Sequence, residues 1–535
     1  ARRSTTLLAA IIASCAMVLS LTACTSDNKT VVDGQTTVTS NSAGGVAVFT
    51  PSDGITLNQQ MPLNKWAKLV PDLTKALVDA GFKKGDINHT TSDSLDKQSR
   101  AIQDFVVDHL SNNTTDDSGI AIAPDNMTLL VAPVVEADAS TRQYGDYVSQ
   151  NLSTNDVTDE GATSDGESSK DDSSNTESDS TASDEQAQAV DRLVSSLKLA
   201  KESGMHVVLL GNSIEGYKPD AFVKFSDAQT IGKLQAEKMV SKLKLDKASK
   251  DNPKYIEVLL PYTAVDEKGN ANDSTFAQEA FRGIWQVLGS YYQKGVVESP
   301  SGTLDGKSTE NDWQAVAYDA AKEGSTAKVL DKRLAKTDGQ STLTRIDGII
   351  TMNDYIASEV VKELDDLGYT GSAADINPQI TISGIVGNIT GKKDLSRDAV
   401  PDPIKSPEND NANDSSSSDD DADEDTSASD KDRDSQWPLV TGYGAYVSNI
   451  PSIVNGKQWM TGMEDRQTIA TDIAQACAKL NKDEALNSMP SIRSSEVGGV
   501  KKIPTISEPL LAVSASNLKS ALIDPGYISL ADAGL

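Results

Sequence analysis

A chain of 535 residues is long enough for two or three domains. Its 79 acidic against 49 basic side chains leave a formal net charge of −30, which argues against nucleic acid and anionic lipid surfaces as partners. The three cysteines, Cys15, Cys24 and Cys477, exclude a disulfide-stapled scaffold, so the fold must stand on its apolar core.

Arg2 and Arg3 followed by the apolar run 7–21 read as a targeting segment, 1–23, too short for a convincing membrane span. Leu21-Thr22-Ala23-Cys24 looks like a bacterial lipobox, which would make Cys24 the acylated first residue of the mature chain. Several acyl chains on one residue would anchor it stably to membrane lipid. A plain signal peptide with an incidental cysteine is the alternative. Residues 24–44 are rich in Ser, Thr, Asn and Gly and read as a flexible stalk.

Folded sequence starts at "GGVAVFT", a buried-strand pattern. "NKWAKLVPDLTKALVDAGF" follows with Trp66, Leu69, Leu73 and Leu77 at helical spacing, and Pro71 is expected to bend or restart that helix. "LDKQSRAIQDFVVDHL" is a second amphipathic helix, and "GIAIAP" and "MTLLVAPVV" read as strands. A polar tract follows. Its early part carries Arg142, Tyr144 and Tyr147, whereas 158–184 has almost nothing to bury and is expected to be a disordered insertion.

Helix and strand patterns then alternate. "AVDRLVSSLKLAKESG" is followed by "MHVVLLG", "AFVKFS" and "QTIGKLQAEKMVSKLKL"; next come "KYIEVLLPY" and "TFAQEAFRGIWQVLGSYYQKG". "TENDWQAVAYDAAKEGSTAKVLDKR" reads as further helix, "RIDGIITMND" as a strand and "IASEVVKELDDLGY" as a helix. Short, almost wholly apolar strands separated by helices imply parallel sheets covered on both faces. Residues 406–436, with "DSSSSDDDADEDTSASD", form a second disordered acidic insertion before the pattern resumes at "WPLVTGYGAY".

These pieces, in this order, resemble the periplasmic-binding-protein type I sugar receptors of ABC transporters, the group of xylose, galactose/glucose and multiple-sugar binding proteins. The resemblance rests on "NKWAKLVPDLTKALVDAG", "MTLLVAPVV", "FVKFSDAQTIGKLQAEKM", "RIDGIITMNDYIASEVVKELDDLGYTG", the segment from "WPLVTGYGAY" to "TDIAQ", and the tail from Lys501. It implies an α/β fold of two Rossmann-like lobes joined by a three-segment hinge. Lobe 1 would be 45–225 plus 463–482, lobe 2 would be 226–462 plus 512–535, and 504–511 would be a hinge segment. It further implies a monomer that binds a mono- or oligosaccharide in the cleft and delivers it to an ABC transporter permease. A sensor of the same fold without a transport role, or a binder of a non-sugar solute, is the alternative.

The resemblance carries site roles onto particular residues. Asn353 and Asp354 follow an apolar strand and are expected to contact sugar hydroxyls, although Asp354 could instead cap the helix that follows. Asp354→Ala is expected to weaken binding at least tenfold while leaving the fold intact. Trp66, and possible ring surface from Tyr443 and Tyr262, would stack on the sugar, while Lys65, Asn212, Glu464 and Asp465 would bind hydroxyls at the rim. Lys65 replaces an arginine, and Gly444 stands where the family places an aspartate. No nucleophile elbow, phosphate-binding loop or zinc-binding helix motif is present, and nothing calls for a cofactor or metal. The chain is read as a binding protein and not an enzyme.

Overall fold

The computed structural model describes residues 29–32, 35–38, 42–53, 62–112, 122–135, 139–154, 177–266, 269–373 and 437–535. The targeting segment, Cys24, most of the first acidic tract and all of the second lie outside them. Within the expected flexible stalk, Lys29–Val32 and Gln35–Val38 pair as an antiparallel hairpin. The sequence offers a reason: Val31, Val32, Thr36 and Thr37 are β-branched and favour strand. This hairpin belongs to a unit of its own, 1–42, and residues 43–535 form the other.

The larger unit contains two parallel sheets. In the first, β1 (Gly45–Pro51), β2 (Ile87–Ser92), β3 (Met127–Val131), β4 (His206–Leu210) and β5 (Ala221–Lys224) lie in the order 2-1-3-4-5. Helix α1 (Trp66–Asp79) covers one face; α2 (Leu95–Asn112) and α3 (Glu177–Glu202) pack together on the other. The alternation of β3 shows how both faces are served. Leu130 joins the cluster of Leu69, Leu73 and Leu77, while Leu129 and Val131 join Ile102, Val106, Leu193 and Leu197.

The second sheet repeats this plan. β6 (Lys254–Val258), β7 (Val297–Glu298), β8 (Gly348–Ile350) and β9 (Leu439–Val440) are ordered 7-6-8-9 and are parallel throughout. Helices α4 (Ala228–Lys242) and α5 (Thr275–Gln293) join the core on the Ile350 side, and α6 (Ser325–Arg333) and α7 (Asp354–Asp366) that on the Ile349 side. α4 and α5 approach so closely that a Cβ on Gly283 would lie 2.0 Å from the Gln229 carbonyl oxygen.

The chain passes between the sheets three times. After β5 it crosses through Phe225 and Ser226 to α4, whose N-terminus is closed by a reciprocal Asp227–Thr230 cap. Strand β10 (Met460–Met463) lies beside the Tyr443 end of β9, and Glu464-Asp465 then leads to α8 (Arg466–Leu480), which packs on α1. Two further strands, β11 (Ile492–Val497) and β12 (Val500–Ser507), form a hairpin that extends the first sheet beside β5. The third passage, 508–510, leads to β13 (Leu511–Ser514), antiparallel to β10.

Several local expectations change. Pro71 lies inside an uninterrupted α1. The helix expected after the first acidic tract starts at Glu177, inside the segment read as disordered, and the run Glu185-Gln186-Ala187-Gln188-Ala189 just beyond that segment favours helix. Ile122 and Ala123 are not strand, and Pro124 opens a short 3₁₀ turn. The stretch read as one helix around Trp313 is a 3₁₀ turn (Asp312–Ala315), a short strand (Ala317–Tyr318) and α6. The tail, whose resemblance implies a terminal helix, has one wide helical turn, Lys519–Ile523. Residues 492–503, given no lobe from sequence, belong to the first sheet, so the segment between the sheets is 508–510 rather than 504–511. Among the described residues no helix is long and apolar enough to cross a membrane.

Candidate ligand site between the two sheets

Residues just beyond the carboxyl ends of strands in both sheets meet in one polar seam, which is where doubly wound folds place their ligands. Beyond β8 the backbone turns through Met352, whose φ of 72° is strained for a non-glycine residue. The Met352 carbonyl accepts a hydrogen bond from buried Gln235 of α4. That turn presents Asn353, whose Oδ1 accepts the Ile356 N–H at 3.0 Å, so Asn353 and not Asp354 is the cap of α7. Its Nδ2 donates to Gln143 Oε1 at 3.1 Å, across the seam.

Asp354 is 0% exposed and both carboxylate oxygens are occupied by the protein. Oδ1 accepts from Gln458 Nε2 at 2.8 Å; Oδ2 accepts from the Tyr446 N–H and Thr461 Oγ1, each at 2.9 Å. A Cβ on Gly442 would sit 2.2 Å from Oδ1, so glycine is required for this approach. Burial pushes the carboxyl up to about 6. The geometry ties Asp354 to the fold, and its removal cannot be expected to leave the fold untouched.

Tyr443 and Glu464 meet at the passages. The Tyr443 hydroxyl lies 2.5 Å from Ser226 Oγ and donates to Glu464 Oε1 at 3.3 Å, and Oε1 also accepts the Ser226 N–H. Burial raises the Glu464 carboxyl to about 7. Asp465 is turned the other way and caps α8 through Thr468. Lys65 pairs with Asp146 at 3.4 Å, and the Trp66 N–H donates to the same carboxylate at 3.0 Å. Trp66 is only 3% exposed, its ring between Tyr147 (4.9 Å) and Phe225 (5.6 Å). Buried Asn212 accepts the Gln150 N–H and donates to the Pro133 carbonyl, each at 3.0 Å.

Tyr262 stands apart, at the edge of a cavity of about 530 Å³ in the second-sheet half. Its ring meets Trp313 edge-on at 5.1 Å, and Tyr318, Asp319, Gln314 and Lys322 complete the polar and aromatic lining. Asp319 Oδ1 accepts from Thr263 Oγ1 and the Ala321 N–H; its Oδ2 lies 3.9 Å from Lys322. Two rings beside a carboxylate, an amide and an amine suit an uncharged ring bearing hydroxyl groups, and the volume falls within the range of small-ligand sites.

The structure thus links Lys65, Trp66, Asn212, Asn353, Asp354, Tyr443 and Glu464 through one connected seam, with Tyr262 in a neighbouring cavity and Asp465 outside both. Sequence reading missed Gln143, Ser226, Trp313 and Asp319. The two-residue pairing of Leu260–Pro261 with Ala317–Tyr318 accompanies Trp313's placement over Tyr262, and so short a strand has no readable period. Among the described residues no group of three His, Cys, Asp or Glu side chains could hold a metal ion.

No protein-family model matches the chain, and no curated protein matches its sequence. Among solved structures it is similar to an ABC transporter solute-binding protein from Clostridium phytofermentans with bound β-D-glucose, at 17% identity and TM-score 0.45, covering 91% of this chain and 99% of that one. It is also similar to a carbohydrate transporter solute-binding protein from Chloroflexus aurantiacus in complex with D-glucose, at 18% identity and TM-score 0.42, covering 92% and 98%. An arabinose-binding protein from Geobacillus stearothermophilus has 10% identity and TM-score 0.42, covering 90% and 99%.

Proposed function

We propose that this chain is an extracytoplasmic solute-binding lipoprotein that captures a sugar or small glycoside and hands it to an ABC transporter permease. The observation that carries the reading is the repeated strand order of two parallel sheets, joined by three passages, with polar and aromatic residues collected at the strands' carboxyl ends. In this reading the passages at 225–227, 464–465 and 508–510 bend as a hinge, and the chain acts as a monomer held to the membrane by acylated Cys24. The ligand ring lies against Tyr262 and Trp313 with its hydroxyl groups toward Asp319, and closure of the two halves over it brings in Asn353 and Asn212 as further contacts.

Thermal-shift screening of the lipid-free protein against pentoses, hexoses and disaccharides tests this. A bound sugar at a hundred times its Kd should add about 2.7 kcal/mol to stability. Trp313→Leu should then weaken that sugar's binding at least about tenfold, or 1.4 kcal/mol, by calorimetry. A flat screen refutes the sugar assignment. Mass spectrometry of the native N-terminal peptide should find acyl chains on Cys24, and an unlipidated mature N-terminus elsewhere refutes the anchor.

A further inference from the structure

The polar groups that a ligand would need in the seam are already engaged, and one short segment engages most of them. Residues 139–154 leave the first-sheet half and run between the two halves. Gln143 accepts from Asn353 through its side chain and from the Tyr446 hydroxyl (2.7 Å) through its carbonyl. The Tyr144 ring enters the core of the second-sheet half, 4.8 Å from Phe276 and 6.4 Å from Tyr443. Asp146 binds Lys65 and the Trp66 N–H, and its own N–H donates to the Asn64 carbonyl at 2.7 Å. The Tyr147 ring stacks on Phe225 at 4.8 Å, covering Trp66. The Ser149 N–H donates to Ser226, and the Gln150 N–H to Asn212. The segment ends by pairing Asn151–Leu152 with Ser213–Ile214.

We propose that residues 139–154 are an intramolecular occupant of the seam: a strap that holds the two halves together without ligand and must yield before a solute can reach Asn353 and Asn212. Each of these two amides uses on the strap the hydrogen-bonding capacity a sugar hydroxyl would take. The strap contributes polar acceptors to Asn353 and Lys65, and aromatic faces to Phe276, Phe225 and Trp66. Its two anchorages are of different kinds. Asn151–Leu152 is fixed by backbone pairing to the first-sheet half, while Gln143 and Tyr144 meet the second-sheet half through their side chains and the Gln143 carbonyl. Release therefore starts at the Gln143–Tyr144 end. Apparent ligand affinity scales with the fraction of molecules in which the strap is unseated, so a strap seated nine times in ten costs about tenfold.

Gly145 gives a way to unseat it. Its φ is +95°, and a Cβ there would lie 2.6 Å from Asn64 Cβ and 2.7 Å from the Asn64 carbonyl oxygen. Gly145→Val should lift the strap while leaving both sheets intact. Hydrogen exchange by mass spectrometry on the ligand-free full chain reads this directly. In wild type the 139–154 peptide should exchange at least about tenfold slower than an unprotected chain. In Gly145→Val that protection should disappear, and peptides covering 350–357 and 443–465 should exchange faster while β4 and α2 stay protected. Gln143→Ala, which removes only the Asn353 contact, should move the seam peptides the same way by less and guards against a misfolded first variant. An unprotected strap in wild type, or unchanged seam peptides in both variants, overturns the proposal. The ligand arm rests on the solute-receptor reading: a sugar found by the screen should bind Gly145→Val at least about tenfold more tightly than wild type. Equal affinity overturns occupancy of the ligand path. If no sugar binds either protein the receptor reading falls, and the exchange data alone decide the strap.

Discussion

Replacing Asp354 with alanine tests whether the center of the seam is a fold element. The carboxylate is fully buried and receives donors from Gln458, Thr461 and the Tyr446 backbone, all within 2.9 Å. Hydrogen bonds to a charged group contribute about 1.5–3 kcal/mol each, but the stranded partners differ in what they can recover. Gln458 Nε2 keeps the Met460 carbonyl, and the Thr461 hydroxyl can turn to the Gly462 carbonyl; the Tyr446 N–H loses the acceptor recorded for it. Because the variant removes the buried charge along with the acceptor, the net loss is about 1–3 kcal/mol, the cost of a buried donor left unsatisfied. Asp354→Asn keeps the volume and one acceptor but sets an amide donor against Gln458 Nε2, and should cost about 1–3 kcal/mol. Urea unfolding of the lipid-free protein at pH 7.5 measures both, read as the shift in midpoint with the slope held constant. An alanine variant within about 0.5 kcal/mol of wild type refutes the reasoning, because that is the range of surface substitutions.

Two further measurements bear on the same core. Burial raises Glu464 to about 7 and Asp354 to about 6, so between about pH 4 and 7 the folded chain holds protons that the unfolded chain has released. Their contribution to stability is complete below about pH 4 and is lost as pH rises through 6 and 7. The Tm should therefore fall between pH 5 and 8, and Glu464→Gln should flatten that fall by an amount approaching 3 kcal/mol; the same slope in the variant would show that Glu464 is not its source. Gly283→Ala should destabilise the protein by about 1–3 kcal/mol, because its Cβ would lie 2.0 Å from the Gln229 carbonyl oxygen and force α4 from α5; an unchanged Tm would mean that the helices separate freely.

The α/β alternation was legible because each long element carries its own period. Leu69, Leu73 and Leu77 recur on one face of α1, and β3 and β4 are apolar except for Thr128 and His206, close to the continuous apolar run of strands buried on both sides. Elements that rely on tertiary pairing were not legible. "INHTTS" has its four central residues exposed as the edge strand β2, so it lacks the apolar run that marks an interior strand. The hairpin of β11 and β12 begins with "IRSSEV", mostly polar, and its place beside β5 is settled by contacts with residues nearly 300 positions earlier. Pro71 carries a strong local breaker signal, yet α1 continues because its apolar face is held by α8 and the first sheet.

The seam shows where sequence reading stops. That Asn212, Asn353 and Tyr443 follow strand ends could be read, because apolar runs end visibly and polar residues come next. What each side chain faces could not, since the partner comes from elsewhere in the chain. Asn353 and Asp354 are adjacent, both buried and both polar, yet one reaches across to Gln143 while the other is enclosed by Gln458, Thr461 and Tyr446 on its own side. The partner of the first belongs to the strap, whereas those of the second lie on the second-sheet half itself. On the proposed receptor reading, Asn353, whose side-chain partner belongs to the strap, is therefore a better candidate for meeting a solute than Asp354, whose carboxylate is fully engaged within its own half.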